Sequence, residues 1–264
     1  MLKRVWLYGV ALGGVALGLP LAPAEAASIP DCAGPVEIAD AHIARVEPTN
    51  DALVLRDGRA LHLEGIRFPH AGPDRAPSFV AQQAFEAVSA MAKGKHLAVY
   101  AVPPKEDRYD RVRGQIFGDD WLQVTLLRMG AVRVDIAPDR TECAAQLYAA
   151  ESEARAAGRG LWAQPTYGLR TPDSVGGDTG SFQIVQGQVL SADVKDGRAY
   201  LDFGTDWKTD FTVTVSPDDM ANFRIQGVDP RDYAGKVVRV RGIVQQFNGP
   251  EIEIANPEQV EVLP

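Results

Sequence analysis

Cysteine is nearly absent from this chain, with two in 264 residues. That excludes a disulfide-dense scaffold and, without Cys/His clustering, a structural zinc centre. Basic charge is also in short supply, because 27 Lys and Arg face 35 Asp and Glu for a net −8. A phosphate backbone finds no general attraction in such a field, so any nucleic-acid function has to rest on local sites. What is present, 45% hydrophobic and 23% charged residues, is ordinary for a globular chain and excludes disorder, collagen and coiled coil.

The single long apolar run sits at the start. Met1-Leu2-Lys3-Arg4 leads into Val5 to Leu21, and Ala24-Glu25-Ala26 follows. A basic start, an apolar middle and an A-x-A end are the marks of a secretory signal peptide covering 1–26, with the mature chain beginning near Ala27. A retained membrane anchor is the alternative, since the run is marginally long enough to span. Export to periplasm or medium puts Cys32 and Cys143 in an oxidising compartment, where the expectation is one disulfide between them.

From Ala163 to Ser181 the chain is rich in Pro, Gly and small polar residues without an apolar period, which reads as a linker over 166–180. It divides the mature chain into domains at 27–165 and 181–264, the second with fifteen acidic against nine basic residues counted from Thr166. In the first, short strands are expected at Val36–Val46, Ala52–Leu55, Ala60–Ile66, His96–Val102 and Val112–Phe117. Helices are expected at Phe79–Lys93, Leu122–Met129 (capped by Asp120) and Glu142–Ala157. The second reads as strand, at Phe182–Leu190, Ala199–Phe203, Phe211–Val215, Lys236–Gln246 and Glu251–Ile254, with a helix at Asp218–Arg224 and an Asn248-Gly249 hairpin. The fold class is therefore α+β, mainly β: a small barrel with helices, then a second small barrel of OB-like plan.

Four stretches carry a family resemblance. They are Asn50-Asp51-Ala52, Leu61-His62-Leu63-Glu64-Gly65-Ile66-Arg67-Phe68-Pro69-His70, Asp107-Arg108-Tyr109-Asp110-Arg111-Val112-Arg113-Gly114, and Ala150-Glu151 through Gly158-Arg159-Gly160-Leu161-Trp162. Together they resemble the thermonuclease, or staphylococcal-nuclease-like, family, whose fold is a five-stranded barrel with three helices. The resemblance implies calcium-dependent phosphodiester hydrolysis, in which carboxylates hold a hard cation, a Glu handles the attacking water and two Arg neutralise the phosphate.

The family pattern has Arg, Asp and Glu where this chain has His62, Arg67 and His70. Asp51 matches the first metal carboxylate and Arg111 the second phosphate-binding Arg. An arginine at a ligand position puts a fixed positive charge where the cation should sit, so the calcium site reads as lost and no cofactor is expected. His62 and His70 remain candidates for a metal-free acid/base pair with Arg111 on the phosphate. A zinc centre from His62, Glu64 and His70 is a further alternative, and surface or cleft histidines without a role a third.

For the second domain, Tyr200, Phe203, Trp207, Phe211 and Phe247 are candidates for base stacking, with Lys236, Arg239 and Arg241 nearby; the alternative is that most of these aromatics are core. Arg239 and Arg241 alternate with valines as on a solvated strand face. Arg113 and Phe247 join Arg111 as candidate nucleic-acid contacts. The expected function is a non-catalytic module binding nucleic acid weakly or an envelope protein, with no membrane in its mature form. The competing reading is an active endonuclease on DNA or RNA with altered or no calcium dependence.

Overall fold

A computed structural model of the chain describes residues 29–75, 77–206 and 208–264. The expected signal peptide and Trp207 lie outside the described residues. Among those described, no helix is long and apolar enough to cross a membrane.

The first half contains β1 (Val36–Ala41), β2 (Ile43–Glu47), β3 (Ala52–Leu55), β4 (Ala60–Leu63), β5 (Ile66–Arg67), α1 (Ala71–Asp74), α2 (Ser78–Ala92), β6 (Leu97–Tyr100), β7 (Val112–Phe117), α3 (Leu122–Met129), β8 (Arg133–Val134) and α4 (Ala144–Ala156). The second contains β9 (Phe182–Gln188), β10 (Ser191–Lys195), β11 (Arg198–Asp202), β12 (Thr212–Val215), α5 (Met220–Ile225), β13 (Val237–Gln246), β14 (Pro250–Ile254) and β15 (Val260–Val262). These are mixed sheets with helices, the α+β class the pattern implies.

The two halves share one wiring. Strands β1 and β2, on either side of His42, pair with β6 and β3, and the ring runs on through β4 and β7 back to β6, with β4 and β7 parallel. Strands β9 and β10 likewise pair with β13 and β11, and β12 runs parallel to β14 before β13 closes the ring. In each half a helix bridges the third and fourth strands of the ring. That is the OB plan, in which closure leaves few open edges. Each half encloses its own apolar core, built on Leu53, Leu61, Val99, Ile116 and Leu126 in one and on Val185, Leu201, Val213, Val240 and Ile252 in the other.

Helix α2 buries Val80, Ala84, Phe85, Val88 and Ala92; of the stripe Val80, Ala84, Val88 and Met91 expected from the sequence the first three are buried and Met91 is half-buried, and Gly94 takes the left-handed conformation just beyond the helix. Helix α3 begins at Trp121 rather than under an Asp120 cap, and no side chain caps it. The loop between β13 and β14 holds three residues, Phe247 to Gly249, because strand pairing stops at Gln246 and Pro250. The segment Gly158-Arg159-Gly160 passes so close to Gly130 that a Cβ on Gly160 would stand 2.3 Å from the Gly130 carbonyl oxygen. Leu161 then donates its N–H to that oxygen and buries its side chain with Val80 and Tyr167. Steric exclusion at this crossing explains the Gly-x-Gly-Leu spacing.

Residues 166–180, expected as a linker, are packed. Tyr167 and Val175 are buried, and the Arg170 backbone pairs with β9 through Ile184 and Gln186. Between the halves lies a layer of buried charge. Arg241, read as one of a solvated row, is wholly buried, and both its terminal nitrogens reach Glu151 of α4 at about 3.1 Å. Glu151 also accepts from the Val134 N–H at 2.8 Å and from Arg155 at 2.9 Å. Burial works to raise the Glu151 carboxyl, but Arg241 and these donors outweigh it and hold it below the usual range. Arg133 donates to the Phe182 carbonyl at 2.9 Å, stacks over the Tyr167 and Phe182 rings, and faces Asp74 at 3.1 Å. The alternation in β13 is real, but the side it turns to is covered by the first barrel.

Cys32 and Cys143 are joined, their Cα atoms 5.2 Å apart and 111 positions apart in sequence. The bond ties the start of the first barrel to the N-terminus of α4. In the chain-entropy description a loop of this length contributes on the order of 4 kcal/mol. Replacing both cysteines by alanine should therefore lower the unfolding free energy in urea by roughly that amount, and a change under about 1 kcal/mol would contradict it.

Candidate functional site

Four of the residues singled out from sequence gather around the turn between β2 and β3. Pro48–Asn50 form a single 3-10 turn, and Asp51 follows in the left-handed region at φ 49°, which swings the chain into β3. In register, His62 of β4 lies across from Ala52 on one side and Arg113 of β7 on the other. His70, beyond β5, places Nε2 2.9 Å from Asp51 Oδ1. Arg111 closes the group by donating Nη1 to the Asn50 carbonyl.

The arginine is already committed. Asp107 accepts from the N–H of Tyr109 at 2.8 Å and of Arg111 at 3.1 Å, and its other oxygen takes Arg111 Nε at 2.7 Å. Burial raises the Asp107 carboxyl, and these donors, with the guanidinium, more than reverse that and leave it below its ordinary value. A guanidinium with its fork filled by a carboxylate and a carbonyl has little left for an incoming phosphate.

An open cavity of about 680 Å³ lies beside this group, lined by Thr49, His70, Gln82, Phe85, Glu86 and Ser89 among others. His70 reaches it; Arg111 and His62 do not line it. His62 is mostly buried, and its Nδ1 has no hydrogen-bond partner. Burial pushes its imidazole below the ordinary value; Glu64 and Asp107 pull it up, while Arg111 and Arg113 press it down. His62, outside the cavity, is not placed to exchange protons with a substrate there.

The residues do not fit calcium. A hard cation of that size takes six to eight oxygens. Asp51 is the single carboxylate among the family's ligand positions, and it is shared with His70; among the described residues no third carboxylate or imidazole joins the pair within ligand distance. Arg67, expected to occupy the cation position, instead faces Asp135 at 3.7 Å and stacks on the Phe182 ring at 5.1 Å. Its strand β5 pairs with β8, which turns the guanidinium toward the second barrel. What the corner lacks for such a cation is a second carboxylate, since Arg67 itself is turned away. Nor do His62, Glu64 and His70 form a zinc set, because Glu64 is buried against Arg113 Nε at 2.7 Å.

Other candidate contacts are also spent internally. Arg113, a candidate nucleic-acid contact, is 7% exposed and bridges Glu64 and Asp139. Phe203 and Phe211 lie tilted against each other, ring centroids 5.0 Å apart, in the core of the second barrel. Tyr200 is half-buried on β11, Arg239 donates to Gln186, and Lys236 is exposed. Phe247, at the hairpin tip, is 71% exposed.

The first barrel's order of elements, its Asp51–His70–Arg111 corner and its Gly130–Gly160 crossing all belong to one contiguous unit. Residues 60–164 match the family of staphylococcal nuclease homologues. No curated protein matches the chain. The nuclease-homologue domain holds its most specific stretch, Ala150 to Trp162, for structural reasons: Glu151 anchors β8 and Arg241, Ala154 packs without exposed surface, and Gly160 makes the crossing.

Sequence reasoning missed Asp107 as the residue that immobilises Arg111. Its signal was the four-residue spacing within the Asp107-Arg108-Tyr109-Asp110-Arg111 turn. It also missed Asp74 and Asp135, since nothing local reveals which barrel would cover them.

The depressed His62 predicts a pH effect. The unfolded imidazole takes a proton near about 6.5, whereas the folded one takes it lower, so between those values the unfolded chain binds more protons. Stability from this group is complete above about 6.5 and declines as pH falls through it. Thermal melts of His62→Gln should show a shallower loss between about pH 7 and pH 5 than the parent chain. Parallel curves would contradict the assignment.

Proposed function

We infer that this is an exported protein whose nuclease-homologue domain no longer hydrolyses phosphodiesters and acts, fused to the second barrel, as a binding module for a protein partner of the cell envelope. The observation that carries the reading is the internal pairing of the two charged groups that match the family chemistry, Asp51 with His70 and Arg111 with Asp107, while Arg67, standing where the family has a metal carboxylate, pairs with Asp135. Nucleic acid is the weaker ligand, because Arg113, Arg239 and Arg241 are likewise engaged and the net charge is −8. One cavity in the second barrel, about 500 Å³, is lined by Asp173 and Asp210 with Lys208, and another, about 540 Å³, by Arg224 and by Arg231, which is paired with Asp229. Ile225 and Phe247 are the most exposed large apolar side chains and suit protein contact better than a polyanion. Export is supported by the leader-like start and by a disulfide that needs an oxidising compartment.

The pair His70–Asp51 beside a cavity supports a second reading, a metal-independent phosphodiesterase with His70 as base oriented by Asp51. One set of assays separates the two. Purified protein, Arg111→Ala and His70→Ala are incubated with single- and double-stranded DNA and RNA in calcium or chelator. The expected result is no cleavage above a buffer control in any of them. Chelator-resistant cleavage abolished by His70→Ala would install the second reading, and calcium-stimulated cleavage lost in Arg111→Ala would overturn both.

A further inference from the structure

Away from the nuclease-homologue corner, the remaining two histidines meet on one carboxylate. Asp40 is in β1, His42 follows that strand directly, and His96 stands just before β6. Because β1 pairs with β6 through Ala41 and Leu97, residues 56 positions apart in sequence are neighbours across the ladder. His42 Nε2 lies 3.2 Å from Asp40 Oδ2 and His96 Nδ1 2.9 Å from Asp40 Oδ1. The two rings stand edge to face with centroids 4.8 Å apart, and one ligand atom from each of the three side chains lies within 4.8 Å of the others.

We propose that Asp40, His42 and His96 bind a single divalent transition-metal ion, of the zinc class, that clips β1 to β6 where the first barrel closes.

The donor set selects the ion. Two imidazoles and one carboxylate suit zinc, nickel or copper, whereas calcium and magnesium want oxygen ligands throughout. Around a tetrahedral zinc with bonds of about 2.0–2.2 Å, ligand atoms stand roughly 3.3 Å apart. The two imidazoles contact different oxygens of Asp40, so a single ion needs the carboxylate to turn one oxygen between them and the two imidazole nitrogens to converge. His96 can supply the second movement, since its side chain is 81% exposed and free to rotate. The competing cation is occupied elsewhere: Lys95, next to His96, places its ammonium 2.6 Å from Asp119. Three protein ligands leave one position for water, and exposure on one side sets the affinity in the micromolar range rather than that of a buried structural site.

Sequence concealed this cluster because neither histidine sits in a ligand-type spacing with the other; only the β1–β6 pairing unites them. The strand between them is irregular, its register shifting between Val36, Ile38 and Ala41. A cross-strand metal would hold that stretch in one register.

Isothermal titration of the tag-free mature protein with zinc chloride tests the site. One equivalent should bind with a micromolar Kd and raise the thermal midpoint as metal exceeds that Kd. His96→Ala, at an exposed position, should weaken binding at least tenfold, and Asp40→Asn should do the same while leaving the metal-free melting temperature close to that of the parent. His70→Ala should leave the titration unchanged, which separates this site from the Asp51–His70 pair. Equal zinc affinity in the parent chain and His96→Ala, loss of binding in His70→Ala, or no binding at tenfold excess over protein would each overturn the proposal.

Discussion

The contact of Arg241 with Glu151 is the constraint around which the two barrels are arranged. Both groups are fully buried, and the carboxylate belongs to α4 of the first barrel while the guanidinium belongs to β13 of the second. Two charges taken out of water cost several kcal/mol each, so the pair persists only if geometry and further hydrogen bonds satisfy it. Glu151 receives the Val134 N–H and Arg155, and Arg241 donates through its terminal nitrogens to the Val134 carbonyl at 3.0 Å and to Glu261 and stacks on Tyr148 at 4.4 Å, while its buried Nε has no hydrogen-bond partner. Separating the barrels would leave Glu151 with Arg155 and Arg241 with Glu261 but would break the contact between the two. Arg133 extends the same layer through Phe182 and Tyr167, which is why the segment expected as a linker is ordered.

Within the match to the nuclease-homologue family at 60–164, Glu151 takes part in this layer. The stretch Ala150 to Trp162 retains the residues that a buried interface and a glycine crossing require. The corner where chemistry would occur has traded carboxylates for histidine and arginine. Arg67 illustrates the exchange: at a position where the resemblance implies a metal carboxylate, it reaches Asp135 and the Phe182 ring of the second barrel.

Much of the fold was legible. The α2 stripe, the period-two strands and the Asn248-Gly249 turn each follow from local periodicity or turn chemistry, and the cysteine pairing followed from compartment logic. Less of the site could be read. Asp51, His62, His70 and Arg111 were found by resemblance, and the structure does gather them, but their partners were invisible: Asp107 fills the Arg111 fork, and enclosure isolates His62 from the cavity. Arg239 and Arg241 show the limit most clearly. An alternating strand announces two different faces, and only tertiary packing says whether the polar one meets water or another barrel.

The central claim is that buried charge makes the two barrels one cooperative unit, and differential scanning calorimetry of the mature chain tests it most directly. The account predicts one transition whose van't Hoff and calorimetric enthalpies agree, and a lower single midpoint for Arg241→Met, which leaves Glu151 buried without its main partner. Two resolved transitions in the parent chain, with Arg241→Met melting like it, would contradict the account.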